Sequence, residues 1–280
     1  MKTTINGKGF DFSGKLVNSK NEKVVDFTNE HLGMAKSSFF YEKDEKYSVV
    51  IDINDTLIKV ELPIAKKRGV LLGVDNSKDS LLLSLRTNEA SLNRSASLKY
   101  SLLYHQRNKI LGFIDLEMTD SLKASIESSK TIFPEGVNTV TLFENNRPIA
   151  ERKFFIEKTT QQIKTAIKEI RTETDSVVYK LELQNKDYSE KANLSISILP
   201  ATSKTFEEKQ NIKSSFLLKP FIKGHVENPA YYFNKKNTKR QQHLDLLLLI
   251  QGWSKYDLEK MIRNLNPEPK FDFKIGNKLS

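Results

Sequence analysis

No cysteine occurs among the 280 residues. That absence removes disulfides, thiol nucleophiles, zinc–thiolate sites and iron–sulfur clusters together. Long apolar runs are missing too. The longest, Leu246 to Ile250, falls far short of the roughly 18 residues that a membrane helix needs. The start, Met1-Lys2-Thr3-Thr4-Ile5-Asn6-Gly7, lacks the apolar core of a signal peptide. The expectation is either a cytoplasmic protein or a mature piece of an exported one carrying an added start methionine. Strand-like ends, Lys274-Ile275-Gly276 among them, favour a piece excised from a longer chain. Also lacking are the GxSxG elbow, the P-loop and the GxGxxG stretch; Gly7 and Gly9 make only a turn.

What is present is charge and alternation. Lys and Arg number 45 against 35 Asp and Glu, a formal surplus of +10. Hydrophobic residues make up 38% and charged residues 29%, with a mean hydropathy of -0.49, enough apolar content for real cores in two or three domains.

From Phe10 to Leu199 the dominant period is two. Ser48–Asp52 and Thr56–Leu62 flank Asn54-Asp55, a two-residue hairpin signal. On the second run Ile58, Val60 and Leu62 are expected to face inward. Further strands are read at Ser80–Thr87 (with Leu81, Leu83 and Leu85 on one face), Ser97–Tyr104, Lys109–Leu116, Asn138–Phe143, Ile149–Ile156, Val177–Leu183 and Asn193–Leu199. Short strands at this spacing indicate β-sandwiches. Gln161–Ile170 stands apart, because Ile163, Ile167 and Ile170 recur at helical spacing. It reads as a helix, or as a linker leading into an edge strand.

Beyond Leu199 the pattern turns helical. Phe206–Leu218 reads as a short helix. A stronger one runs from Asn237 or Thr238 through Leu244, Leu247 and Leu248 to Gly252, the expected stop. Ser254 offers an N-cap for a last helix with Leu258, Met261, Ile262 and Leu265 as its buried stripe, ended by Pro267 and Pro269.

Three segments carry a resemblance. One is His31-Leu32-Gly33-Met34-Ala35-Lys36-Ser37-Ser38-Phe39-Phe40, followed by Tyr47. Another runs from Phe133-Pro134-Glu135-Gly136-Val137 through Thr141-Leu142-Phe143 to Pro148-Ile149-Ala150-Glu151-Arg152-Lys153-Phe154-Phe155. The third is Ile222-Lys223-Gly224-His225-Val226-Glu227-Asn228-Pro229-Ala230-Tyr231-Tyr232-Phe233, then Leu244-Asp245-Leu246-Leu247 and Gln251-Gly252-Trp253-Ser254-Lys255-Tyr256. Together they resemble large envelope proteins of Bacteroidota built from macroglobulin-like β-sandwiches, commonly found with carboxypeptidase-regulatory-like and TonB-dependent-receptor plug domains. Ser254-Lys255 stand where that family usually has an Arg pair, and Ala35 where it usually has glycine. The resemblance implies export and a modular envelope role, with no catalytic residues to carry over. The thioester of some α-macroglobulins needs a cysteine and is excluded.

Candidate chemistry is thin. His31, His105, His225 and His243 show no metal-ligand spacing, and each reads first as a surface or turn histidine. Asp52 with Asp55, and Glu207 with Glu208, are paired carboxylates in a turn and on an exposed helical face. Lys235-Lys236 and Lys239-Arg240 adjoin Tyr231-Tyr232-Phe233, a combination that can serve single-stranded nucleic acid. Packing of those aromatics ahead of the helix, with solvated lysines around them, is the preferred reading. A general positive field would also suit anionic membrane headgroups. Trp253 reads as a buried hinge pin between two helices, with a sugar contact as the other reading.

The expected fold is mainly β: tandem macroglobulin-like (Ig-like) sandwiches at Met1–Leu62 and Pro63–Ile156, then a β domain over Glu157–Ser280 ending in helices. The expected function is a non-enzymatic structural or interaction module of a larger cell-envelope protein, in the periplasm or at the outer membrane, and the resemblance implies a link to TonB-dependent outer-membrane transport. No catalytic, cofactor or metal residue is expected. Its partners would be an envelope or outer-membrane protein or other domains of the same chain, not nucleic acid. The alternatives are a carbohydrate-binding or hydrolytic unit with a loop-built site, and a nucleic-acid binder.

Overall fold

In the computed structural model the described residues are 1–53, 56–77, 79–92, 99–107, 109–116, 122–158, 165–183, 194–200, 202–203 and 209–252. The chain is mainly β, with several antiparallel sheets and a short C-terminal helix. Two compact units form: one joins Met1–Ile156 to the segment that begins at Lys209, and the other is Glu157–Glu208.

The first unit opens with a small hairpin, β1 (Thr4–Ile5) and β2 (Lys8–Gly9). A four-stranded sheet follows from β3 (Ser13–Val17), β4 (Lys23–Thr28), β5 (Ser48–Ile53) and β6 (Thr56–Glu61), in the order β4-β3-β5-β6. Ile53 pairs with Thr56, the register a two-residue connection requires, although residues 54 and 55 themselves lie outside the described set. Ile51 pairs with Ile58, and Val49 with Val60, so the apolar residues do share a face. The expectation that Ile58 and Val60 are buried fails. Both are exposed, because β6 lies at the edge of this sheet, whereas its buried residues Leu16, Val17 and Ile51 lie on the central strands β3 and β5.

The next segment is a two-layered sandwich. β7 (Val70–Asp75), β8 (Ser80–Thr87) and β11 (Lys123–Ser129) form one sheet, in the order β11-β8-β7. The facing sheet comprises β9 (Tyr100–Gln106), β10 (Lys109–Leu116), β12 (Gly136–Glu144) and β13 (Arg147–Ile156), in the order β10-β9-β12-β13. A one-turn helix, α1 (Glu89–Leu92), follows β8. Leu81, Leu83 and Leu85 point into the core as their alternation predicts, each at most 1% exposed. They meet Tyr100, Leu102, Tyr104, Phe133, Val140, Leu142, Phe154 and Ile156 from the facing side. Each fully buried leucine contributes roughly 2 kcal/mol to this core.

The segment after residue 208 was expected to close a third domain with residues 157–208. It packs elsewhere. Leu218, Ile222, Val226, Tyr232, Leu244, Leu246, Leu247 and Leu248 share one buried cluster with Met34 and Val137, so they complete the first unit. Three short helical stretches lead in: a π-turn at Ser214–Leu218 and 3-10 turns at Lys219–Phe221 and Pro229–Phe233. α2 (Arg240–Gln251) follows. The expected helix over Phe206–Leu218 is therefore late and irregular, its first residues lying outside the described set. α2 ends at Gly252 as expected, but not through a left-handed residue. A Cβ there would lie 2.1 Å from the Leu248 carbonyl oxygen, so only glycine fits. Trp253 and the last helix expected from Ser254 to Leu265 lie outside the described residues.

In the second unit, Gln161–Ile170 is not helical over its described part. β14 (Thr165–Thr172) pairs with β15 (Val177–Leu183). Opposing partners Ile167 with Leu181 and Glu169 with Tyr179 show the pairing that overrides the weak helical spacing of the isoleucines. The strand expected at Asn193–Leu199 forms no ladder over residues 194–200. None of the unit's described residues is buried.

Candidate functional site

The densest polar construction among the described residues is the joint between the N-terminal segment and the C-terminal helical segment of the first unit. It begins with a tight turn in which Leu32 and Gly33 both have positive φ. The turn lets Met34 enter the core while the Met34 N–H donates to the His31 carbonyl at 2.9 Å. A Cβ on Gly9 would lie 2.2 Å from the Leu32 backbone, and one on Gly33 2.2 Å from the Thr3 carbonyl oxygen. The small N-terminal hairpin therefore lies directly against this turn. The Thr3 N–H donates to the Gly33 carbonyl at 2.8 Å.

Side chains then tie the turn to the far end of the chain. The Gly9 N–H donates to Glu227 Oε2 at 2.7 Å, a charge-assisted bond of the stronger kind. Lys2 Nζ donates to Gln251 Oε1 at 2.8 Å, and Gln251 Nε2 donates in turn to the carbonyls of Lys223 and His225. At the centre two imidazoles meet. The rings of His31 and His243 stack with centroids 4.2 Å apart and planes 12° from parallel. Tyr231 stacks on His31 at 4.4 Å, and Tyr232 meets it edge-on. The Tyr231 hydroxyl lies 2.7 Å from His243 Nδ1.

This environment disfavours charge on the rings. Burial, then the nearness of His243, pulls His31 down to about 4, against a smaller opposing effect from Glu227. His243 is lowered as well, by burial and then by Lys239, with Glu30 opposing. Burial pushes the Tyr232 phenol well above its ordinary range. His31 Nε2 is buried and has no hydrogen-bond partner.

Chemically, parallel rings set their nitrogens side by side and do not converge on one point, and no group of three or more potential metal-ligating side chains occurs among the described residues. The joint holds two chain segments together; it is not arranged as a general-acid and general-base pair. Of the other histidines, His105 bonds to the Arg107 carbonyl and Thr141 at 3.2 Å, and His225 is exposed. Asp52 lies exposed on β5, whereas Asp55, Glu207 and Glu208 lie outside the described residues. Tyr232 is core, as read from the sequence, and Arg240 donates to its carbonyl at 3.3 Å. That use of Arg240 anchors the start of α2. The pairing of His31 with His243 was not legible, since they lie 212 positions apart. The one available signal was the adjacency of His31 to the Gly33-Met34 turn and of His243 to the Leu244 core stripe.

Two ion pairs support the C-terminal side. Lys153 Nζ meets Glu151 Oε1 at 2.6 Å with both side chains largely buried, and Arg152 Nη2 reaches Asp245 Oδ1 on α2 at 2.7 Å.

Comparison with known proteins adds little. No family model matches the chain, and no curated protein does. Among solved structures, a biofilm-associated protein BSP domain is similar at a TM-score of 0.26 and 16% identity, over 55% of this chain and 26% of that one. The match thus spans about a quarter of that structure's length.

Proposed function

We propose that this chain is a non-enzymatic interaction module of a larger cell-envelope protein, and that it works by holding a protein partner along its strands. The supporting observation is apolar strand surface left in solvent. On the edge strand β6 every residue is exposed, Leu57 at 70%. In the second unit Ile167, Tyr179 and Leu183 are exposed on the hairpin, and Leu194, Ile196 and Ile198 alternate with serines on a segment that forms no ladder. Open edges and alternating apolar residues are what a strand from another protein can pair with. The placement in the envelope, and any tie to TonB-dependent outer-membrane transport, rest on the sequence resemblance alone.

The test is capture from envelope extracts with the immobilised chain, repeated at raised salt, beside a glycosidase, esterase and peptidase screen. A defined partner retained at moderate salt and lost on Leu57→Asp or Ile167→Asp supports the reading, because apolar contact survives screening. Turnover abolished by one acidic or histidine substitution would overturn it.

A further inference from the structure

We propose that the His31–His243 stack is an acid-released latch that fastens the N-terminal segment, residues 1–35, to the C-terminal helical segment of the first unit. The geometry argues for it before any titration does. His31 Nε2 is buried without a partner, so a proton placed there becomes a buried donor with no acceptor, which costs more than the neutral ring does. A second proton on His243 would put two like charges on rings 4.2 Å apart. Leaving the stack relieves both penalties, and the ring that leaves takes the His31 turn with it.

The charged surroundings do not cancel this. Glu227 favours a charged His31, yet its carboxylate already accepts from the Gly9 N–H. Glu30 favours a charged His243 but Lys239 opposes it more strongly. Lys2 lies beside Glu227 and adds further positive charge. The other rings against the pair are the phenols of Tyr231 and Tyr232, and burial pushes Tyr232 further from ionising.

The sign follows from linkage. His31 is depressed in the closed joint to about 4 from an ordinary 6.5. Closure is therefore fully favoured above 6.5 and weakens as pH falls from 6.5 towards 4. At pH 5 the two values give roughly a 30-fold shift towards release. Solvent screening of a half-exposed ring reduces this to about tenfold.

The experiment is amide hydrogen exchange on the full chain at pH 7.5 and pH 5, corrected for intrinsic exchange. The reporters are Thr3 and Met34, which donate within the joint, and strands β9 and β12 serve as internal reference. Wild type should lose about tenfold protection at the joint relative to the reference. His31→Phe, which keeps a stacking ring but takes no proton, should lose distinctly less, with His243 alone left to titrate in the joint. Equal losses in both proteins, or no loss in wild type, overturn the proposal. Should the variant not fold, the imidazole proton resonances of the wild type decide. A His31 midpoint near 4 accompanied by loss of joint protection supports the latch; a midpoint near 6.5 with unchanged protection refutes it.

Discussion

Replacing Lys153 by methionine should destabilise the first unit far more than removing a surface lysine would. Lys153 stands on β13, paired across the sheet with Thr139 of β12, and its ammonium meets Glu151 at 2.6 Å. The two side chains retain only 9% and 13% of their exposure. Its stem also runs beside the end of α2, with Cδ 3.2 Å from where a Cβ on Gly252 would lie. Methionine preserves most of that stem and deletes the charge, so the loss isolates the ion pair. An exposed pair contributes about 0–1 kcal/mol, whereas stranding one buried partner costs about 3–5 kcal/mol. At about 2–4 °C per kcal/mol for a unit of this size, the melting temperature should fall by about 6–20 °C. Glu151→Leu combined with Lys153→Met removes both charges and should recover most of the loss, since a buried pair often breaks even against an apolar replacement. Urea unfolding of the wild type, both single variants and the double variant closes the cycle. A single-variant cost under about 1 kcal/mol, with melting as salt-sensitive as that of a surface pair, would show the pair to be solvated and the reasoning wrong.

Leu83→Ala, at a position with no exposure, should cost about 2–5 kcal/mol; calorimetry showing less than 1 kcal/mol would place Leu83 outside the sandwich core. Gly252→Ala should fray the last turn of α2, because the new methyl would meet the Leu248 carbonyl at 2.1 Å; helical circular dichroism should drop and melting occur earlier, and an unchanged melting curve would refute the close approach. Ile196→Ser and Ile198→Ser should leave the unfolding free energy within about ±0.5 kcal/mol, as is typical of surface changes, Ile198 being 84% exposed, while weakening partner capture. Chelator treatment should leave the melting curve in place, and a large downward shift on EDTA would reveal a metal that the described residues do not explain.

How much of this was legible depended on how far apart the cooperating residues lie. The Leu81, Leu83 and Leu85 alternation announces a buried strand face from five neighbouring residues, and the fold agrees. The end of α2 was equally local: Gly252 stops the helix, though through a close approach and not a reversed backbone. Ile58 and Val60 show the limit of the same rule. Alternation tells which residues share a face but not whether a second layer covers it. Ile163, Ile167 and Ile170 misled because three spaced isoleucines weigh less than a partner strand such as Val177–Leu183, which lies beyond any short window. The joint was beyond reach for a similar reason. Nothing near His31 indicates that His243 will stack on it, nor does anything near Glu227 indicate an amide at Gly9. Such contacts exist only once the chain has closed on itself.

The first unit is interrupted in sequence by the second, and that order has a cost during synthesis. Residues 1–156 emerge first, yet Met34 and Val137 share their buried cluster with Leu218 through Leu248. Between residues 156 and 252 the ribosome must add 252 − 156 = 96 further residues, about 5–20 s of elongation at about 5–20 residues per second. Throughout that interval a nascent chain would carry a finished sandwich beside an uncovered apolar patch. Closing the patch must then bring together partners separated by more than two hundred residues, the kind of long-range contact that slows folding. Truncated chains ending near residue 156 should accordingly need a chaperone to stay unaggregated, while the same residues in the whole chain should not.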